Sequence, residues 1–222
     1  MNRFIGIDPS LSSTAVCVMD DNGDHFHCFM SAKKSTKWMK AIEVVSKMHL
    51  ISYESKSKYS DSEVQKLLDY KKNAYSIIDE VGIQAGDNVF IEGYAQRASG
   101  QIIDLVMFGT FLRKRILDKG ANLTVITPMT LKKSWAESIY PKDKKGIARN
   151  YEIQKNGLGI AGGSFKKHQM MLGLYEMEES SKFKDAMLVH REEIMPLANI
   201  PSPLNDCVDA FAAAWLGKNG KI

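Results

Sequence analysis

The chain has 222 residues, of which 44% are hydrophobic and 25% charged, enough apolar material for one domain with a proper core. No run of about 18 apolar residues is present, so a membrane-spanning helix is not expected, and a net charge of +4 says little until its distribution is read. The three cysteines (Cys17, Cys28, Cys207) are odd in number and lack metal-ligand spacing, which points to free thiols in a reducing compartment.

Residues 3–8 alternate, with Phe4, Gly6 and Asp8 on one side and Ile5 and Ile7 on the other, the pattern of a strand that ends on a carboxylate. Thr14 to Met19 reads as a second strand. Asp20-Asp21-Asn22-Gly23-Asp24 is a turn signal, and His25 to Met30 returns antiparallel as a third strand. Beyond Ser31 the pattern is mixed: Trp38 to Val45 looks helical and Met48 to Tyr53 extended. Ser60 and Glu63 form a capping-box pattern, and apolar residues from Val64 to Val81 carry a helix to about Gly82. Val89 to Glu92 is a short buried strand that again ends on a carboxylate. Residues 100–118 form an unusually apolar helix, followed by a strand from Leu123 to Ile126 closed by Thr127-Pro128.

Thr130 to Ile139 looks helical. Residues 141–164 are polar and glycine-rich and read as a loop or hairpin. Helix resumes near Lys167 and runs to about Glu179. The last helix is expected to start after Pro201-Ser202-Pro203, with Ser202 as N-cap and Pro203 in the first position. The order β-β-β-α-β-α-β-α predicts an α/β fold, one domain over 1–222 with longer segments at about 31–60 and 133–163.

Four acids stand out. Asp8 and Glu92 each end an apolar strand, and Asp206 and Asp209, three apart, project from one face of the last helix. Like charges so placed are unfavourable unless opposed, and a divalent cation opposes them best. Acids from three distant segments therefore suggest one metal site assembled by folding, suited to two-metal phosphodiester chemistry. Between Lys132 and Lys167 lie nine Lys/Arg against three acids, with Trp135, Tyr140, Tyr151 and Phe165 interleaved. That excess of +6 suits a polyanion, and the plainer reading is a solvated loop.

These residues carry a resemblance. Gly6-Ile7-Asp8-Pro9-Ser10 with Ser12-Ser13-Thr14, Ile91-Glu92-Gly93, and Asp206-Cys207-Val208-Asp209-Ala210 resemble, in order, the three acidic segments of the RuvC-like Holliday-junction resolvases of the RNase H/integrase superfamily. Thr127-Pro128 with Leu131-Lys132, then Ser164-Phe165-Lys166-Lys167-His168, resembles that family's stretch carrying two functional lysines. The resemblance implies an RNase H-like fold, with a mixed five-stranded sheet flanked by helices, and a homodimer. It implies a Mg²⁺-dependent endonuclease, with Mn²⁺ able to substitute, that holds two ions per site on Asp8, Glu92, Asp206 and Asp209. It further implies paired nicking of four-way DNA junctions. Lys132 and Lys167 carry over as phosphate contacts or transition-state helpers, Lys167 among the catalytic residues; Lys133, Lys166 and His168 join them as candidate DNA contacts. Tyr94 either stacks on bases or packs under its own loop, and Arg97 is a candidate phosphate contact. His168 either assists the reaction or merely starts a helix. The apolar helix 100–118 either pairs with its twin across a two-fold axis, with Gly109 permitting close approach, or is simply buried.

The longer segments make the chain look like a phage-type member, whose substrates extend to flaps and forks. Without a signal-peptide pattern the expected location is the bacterial or phage-infected cytoplasm. Three rivals remain. One is another RNase H-superfamily nuclease, of hybrid-cutting or terminase type. Another is a sugar-kinase-like ATPase, which also opens Gly-x-Asp but needs further phosphate loops. The third is a non-catalytic branched-DNA-binding protein.

Overall fold

The computed structural model describes residues 2–31, 37–53, 59–94, 102–139, 167–196 and 200–222. Three strands open the chain: β1 (Phe4–Asp8), β2 (Ser13–Asp20) and β3 (Gly23–Met30). They pair antiparallel in succession, and the β2–β3 hairpin closes on two residues, with Asp20 opposite Gly23. Gly23 takes φ +99°, a conformation that glycine adopts at little cost, and Asp20 Oδ1 accepts the Asn22 amide at 2.7 Å. A short helix α1 (Lys37–Ile42) leads to β4 (Ser46–Leu50), which pairs parallel with β3. Helix α2 (Tyr59–Val81) then crosses to β5 (Asn88–Glu92), parallel to β1, and α3 (Ile102–Asp118) crosses to β6 (Asn122–Ile126), parallel to β5. The strand order is β4-β3-β2-β1-β5-β6. This is the mixed sheet of the RNase H-like fold, with six strands where five were expected. The sixth, β4, is short and only partly covered at the sheet edge, which is why its sequence carries so little alternation.

The remaining helices are α4 (Pro128–Ile139), α5 (Lys167–Glu176), α6 (Lys182–Leu188), α7 (Arg191–Ile194) and α8 (Leu204–Lys218). Some boundaries differ from the sequence reading. Helix α5 ends at Glu176 instead of near Glu179, and the side chain of Ser60, the expected cap of α2, lies outside the described residues. In α8 Pro203 occupies the cap position, and the Ser202 hydroxyl lies 3.4 Å from Asp206 Oδ2 instead of capping. Thr127 does cap α4, its Oγ1 accepting the Thr130 amide at 3.1 Å, with Pro128 in the first position, where a missing N–H costs nothing. The expected loop over 141–164 lies outside the described residues.

The sheet separates two apolar layers. Ile5, Ile7, Val16, Val18 and Phe29 face α2 and α3, while Ala15, Cys17, Met19, Phe26 and Cys28 face α4, α5, α6 and α8. Two backbone amides at the start of α6 donate to Asp24 of β3, at 2.9 and 2.8 Å, which ties that helix to the sheet. Among the described residues no helix is long and apolar enough to cross a membrane.

Helix α8 is buried throughout from Asp206 to Gly217, because it lies directly on β1 and β2. Gly6 makes that approach possible. A methyl group at Gly6 would overlap the Ala210 carbonyl oxygen and the Ala214 amide nitrogen, both backbone atoms that cannot move aside. The glycine of the opening Gly-x-Asp is thus a packing residue that lets the two acidic segments meet. Gly6→Ala is therefore expected to push α8 off β1 and to lower stability by about 1–3 kcal/mol, read as the urea midpoint. An unchanged midpoint would show that the helix does not rest there.

Candidate metal centre

Asp8 and Glu92 are brought together by the parallel pairing of β1 with β5, in which Ile7 lies opposite Ile91, so both carboxylates leave the same edge of the sheet. Helix α8, seated over Gly6, supplies Asp206 from its first turn and Asp209 from its second. All four are buried, Asp209 to 1% exposure. One oxygen each from Asp8, Glu92 and Asp209 lies within 4.8 Å of the others. Asp206 stands beside this triad, close enough to Asp8 for their charges to act on each other, but outside the group of three.

A fifth charged group enters from α5. The Lys167 ammonium lies 3.1 Å from Asp8 Oδ2, forms an ion pair with Asp209 Oδ2, and donates to the Asn205 carbonyl oxygen at 3.3 Å. The cleft around these groups has a volume of about 230 Å³ and is walled by Pro9, Tyr94, Ile102, Leu105 and Pro128.

The electrostatics follow from burial. Glu92 is pushed up to about 10, first by burial and then by the charges of Asp8 and Asp209. Asp206 is pushed up to about 7 by burial and then by Asp8. Burial also raises Asp209, to about 6, with the Lys167 ammonium opposing the rise. For Lys167 itself burial works to lower the pKa, but Asp8, Asp209 and Glu92 together outweigh it and hold the ammonium charged well above its ordinary range. The cluster has more acid than its single internal cation neutralises.

The donor set fits a divalent metal. It consists of oxygens alone, the ligands Mg²⁺ and Mn²⁺ prefer. Asp209 Oδ1 is buried without a hydrogen-bond partner among the described residues, an oxygen left for a cation to take.

The other expected site residues divide. Lys132, on α4, is half-buried and near enough for its charge to act on Asp209, whereas Lys133 on the same helix is exposed. Tyr94 is held at the wall of the cleft by its hydroxyl. Its hydroxyl donates to the Val106 carbonyl at 3.0 Å and accepts from Arg113 Nη1 at 2.5 Å, and the Arg113 guanidinium lies 4.3 Å from the ring centre. Gly109 makes room for that ring, because a methyl group there would overlap the Tyr94 hydroxyl. Its missing side chain thus serves Tyr94, not the close approach of a twin helix. Arg97 and Lys166 lie outside the described residues; His168 is the second residue of α5, and its side chain is likewise outside them. Arg113 and Asn205 escaped the sequence reading. Arg113 carries no local signal that sets it apart from the other cations of α3, and Asn205 acts through its backbone, although its position next to Asp206 is a usable signal.

Sheet order, strand-end acids and terminal acidic helix give the chain a mixed α/β fold of RNase H-like order, with its acids gathered at one end of the sheet. No family model matches the chain, and no curated protein matches it in sequence. Solved structures do align with it. RuvC of T. thermophilus in complex with a Holliday junction substrate aligns over 100% of this chain and 98% of its own, at 11% identity and a TM-score of 0.46. A second Thermus thermophilus RuvC structure aligns over 99% and 97%, at 13% identity and a TM-score of 0.44. The yeast mitochondrial Holliday junction resolvase Ydc2 aligns over 98% of this chain and 78% of its own, at 11% identity and a TM-score of 0.48. At such identities and scores the alignments carry no argument, and the site's chemistry has to stand on its own residues.

The raised carboxyl pKa values set a pH dependence. A carboxyl whose folded-state pKa lies above its unfolded value binds more protons when folded, so stability falls as pH rises between the two values. For Asp209 and Asp206 that window runs from 3.8 to about 6 and about 7, and for Glu92 from 4.5 to about 10. Lys167, raised from 10.5, contributes constantly across this range. In EDTA, Glu92→Gln is therefore expected to gain stability relative to wild type as pH rises from about 5 to about 8, measured as the difference in urea midpoints. A difference that stays flat or shrinks would mean that Glu92 is not held protonated.

Proposed function

We propose that the chain is a metal-dependent, structure-specific endonuclease that cuts branched DNA, four-way junctions foremost. The observation that carries this reading is the buried triad of Asp8, Glu92 and Asp209, whose oxygens lie within 4.8 Å, with Asp206 beside it. Mg²⁺ held by these four acids, with Mn²⁺ as a substitute and two ions in all, supplies a lowered water pKa and neutralisation of the charge developing on the phosphate. The protein's own part is positioning. Asp8 and Glu92 are fixed by paired strands and Asp206 and Asp209 by a buried helix, so little reorganisation accompanies the reaction. Lys132 and Lys167 place positive charge at the cleft, where it grips the backbone phosphate or offsets developing charge. Cleavage leaves 5′-phosphate and 3′-hydroxyl ends.

Branched DNA as the substrate rests on the motif resemblance and on the basic run between Lys132 and Lys167. A homodimer would set two such clefts for paired nicks. Val64, Leu67 and Leu68 on α2 and Ile103 and Val106 on α3 support this assembly: they sit at helical spacing, carry apolar side chains and stay exposed in the single chain.

Asp8→Asn is expected to abolish cleavage of a fixed four-way junction in Mg²⁺ while leaving binding in gel shift largely intact. Paired symmetric nicks by the wild type would mark a dimeric resolvase. Faster cutting of an RNA–DNA hybrid than of a junction or flap would move the chain to the hybrid-cutting nucleases, and full cleavage by the variant would refute the metal site.

A further inference from the structure

Lys167 occupies the place where a metal ion would bind. Its ammonium contacts Asp8 Oδ2, Asp209 Oδ2 and the Asn205 carbonyl oxygen, and the charge of Glu92 acts on it as well. Asp8, Glu92 and Asp209 are the same acids whose oxygens cluster within 4.8 Å. We propose that Lys167 is the resident cation of this site, and that a divalent ion binds only by expelling it, so that Lys167 sets the site's metal affinity. This rests on reading the cluster as a divalent-cation site.

Three features favour exchange over a fixed contact. An ammonium and a divalent ion both need the oxygens of Asp8 and Asp209, and like charges held side by side in a low-dielectric cleft repel strongly. Lys167 is the first residue of α5, where the helix dipole disfavours a positive charge, so the carboxylates and the Asn205 carbonyl hold the ammonium inward against it. Its side chain remains 34% exposed, at the mouth of the cleft, and four rotatable carbons let it swing outward without moving the helix. Expulsion would leave the ammonium at the rim, free to meet a phosphate. The same residue would then neutralise the acids before loading and the nucleic acid after it.

The test uses the full chain without DNA. Lysine acylation by an N-hydroxysuccinimide ester is followed by mass spectrometry in EDTA, in MgCl₂, and in NaCl of equal ionic strength. Lys167 is expected to react severalfold faster in MgCl₂ than in either other condition, with Lys133 unchanged. In parallel, titration calorimetry with MgCl₂ is expected to show Lys167→Met binding at least about fivefold tighter than wild type. Labelling of Lys167 that Mg²⁺ leaves unchanged or slows would overturn the proposal, as would equal or weaker binding by Lys167→Met, with Mg²⁺ still bound by wild type in either case. Absence of Mg²⁺ binding to both proteins would instead remove the metal-site reading and this proposal with it. The wild-type labelling decides the matter even if Lys167→Met fails to fold.

Discussion

Carboxylates buried beside one another repel, and the surroundings of the cleft are arranged to hold them against that repulsion. Asp209 is almost wholly withdrawn from water, Asp8, Glu92 and Asp206 nearly so, and one lysine opposes them. Without a cation the cluster answers by keeping protons, which is why Glu92, Asp206 and Asp209 all titrate upward. With a divalent ion the same crowding becomes affinity. A site of this kind lowers the stability of the empty protein and gains it back on loading, so function and stability trade against each other at the same few atoms.

The scaffold supplies what the cluster needs, which is rigidity. Parallel pairing of β1 with β5 fixes Asp8 relative to Glu92 through backbone hydrogen bonds, independently of side-chain choice. Helix α8 is fixed through packing, buried along nearly its whole length between the sheet and the α4–α5 layer. Gly6 is the contact on which the seat of α8 depends, since any side chain there would separate the helix from the strand. Tyr94 extends the same logic to the wall of the cleft: Arg113 and the Val106 carbonyl hold its hydroxyl, and Gly109 receives its ring.

Much of this was legible beforehand. Period-2 alternation located β1, a short buried run ending on an acid located β5, the Asp-Asn-Gly turn located the β2–β3 hairpin, and spacing put Asp206 and Asp209 on one helix face. The miscounted strand and the misplaced cap have separate causes. β4 is an edge strand with little burial, so little alternation marks it. Whether Ser202 or Pro203 caps α8 depends on where the chain turns, and Ser202 matched a cap pattern that the local path of the chain does not use.

The sequence by itself determined which residues carry the chemistry and the order of the elements that bear them, because both are local: a carboxylate at a strand end, a pair three apart on a helix, a periodicity. Tertiary structure alone decided the company those residues keep. Lys167 stood with Lys132 as a lysine expected at the phosphate, yet it alone among the described lysines reaches into the acid cluster, because α5 packs beside α8. Tyr94 could either stack on bases or pack under its loop, and its hydroxyl is held by Arg113 and the Val106 carbonyl, because α3 passes beside it with a glycine at the point of contact. Asp206 looked equivalent to Asp209 and stands apart from the triad, because one turn of helix divides a position facing Glu92 from one facing Ser202. Contacts between residues more than a hundred positions apart are set by how layers pack, and no local pattern in the chain records them.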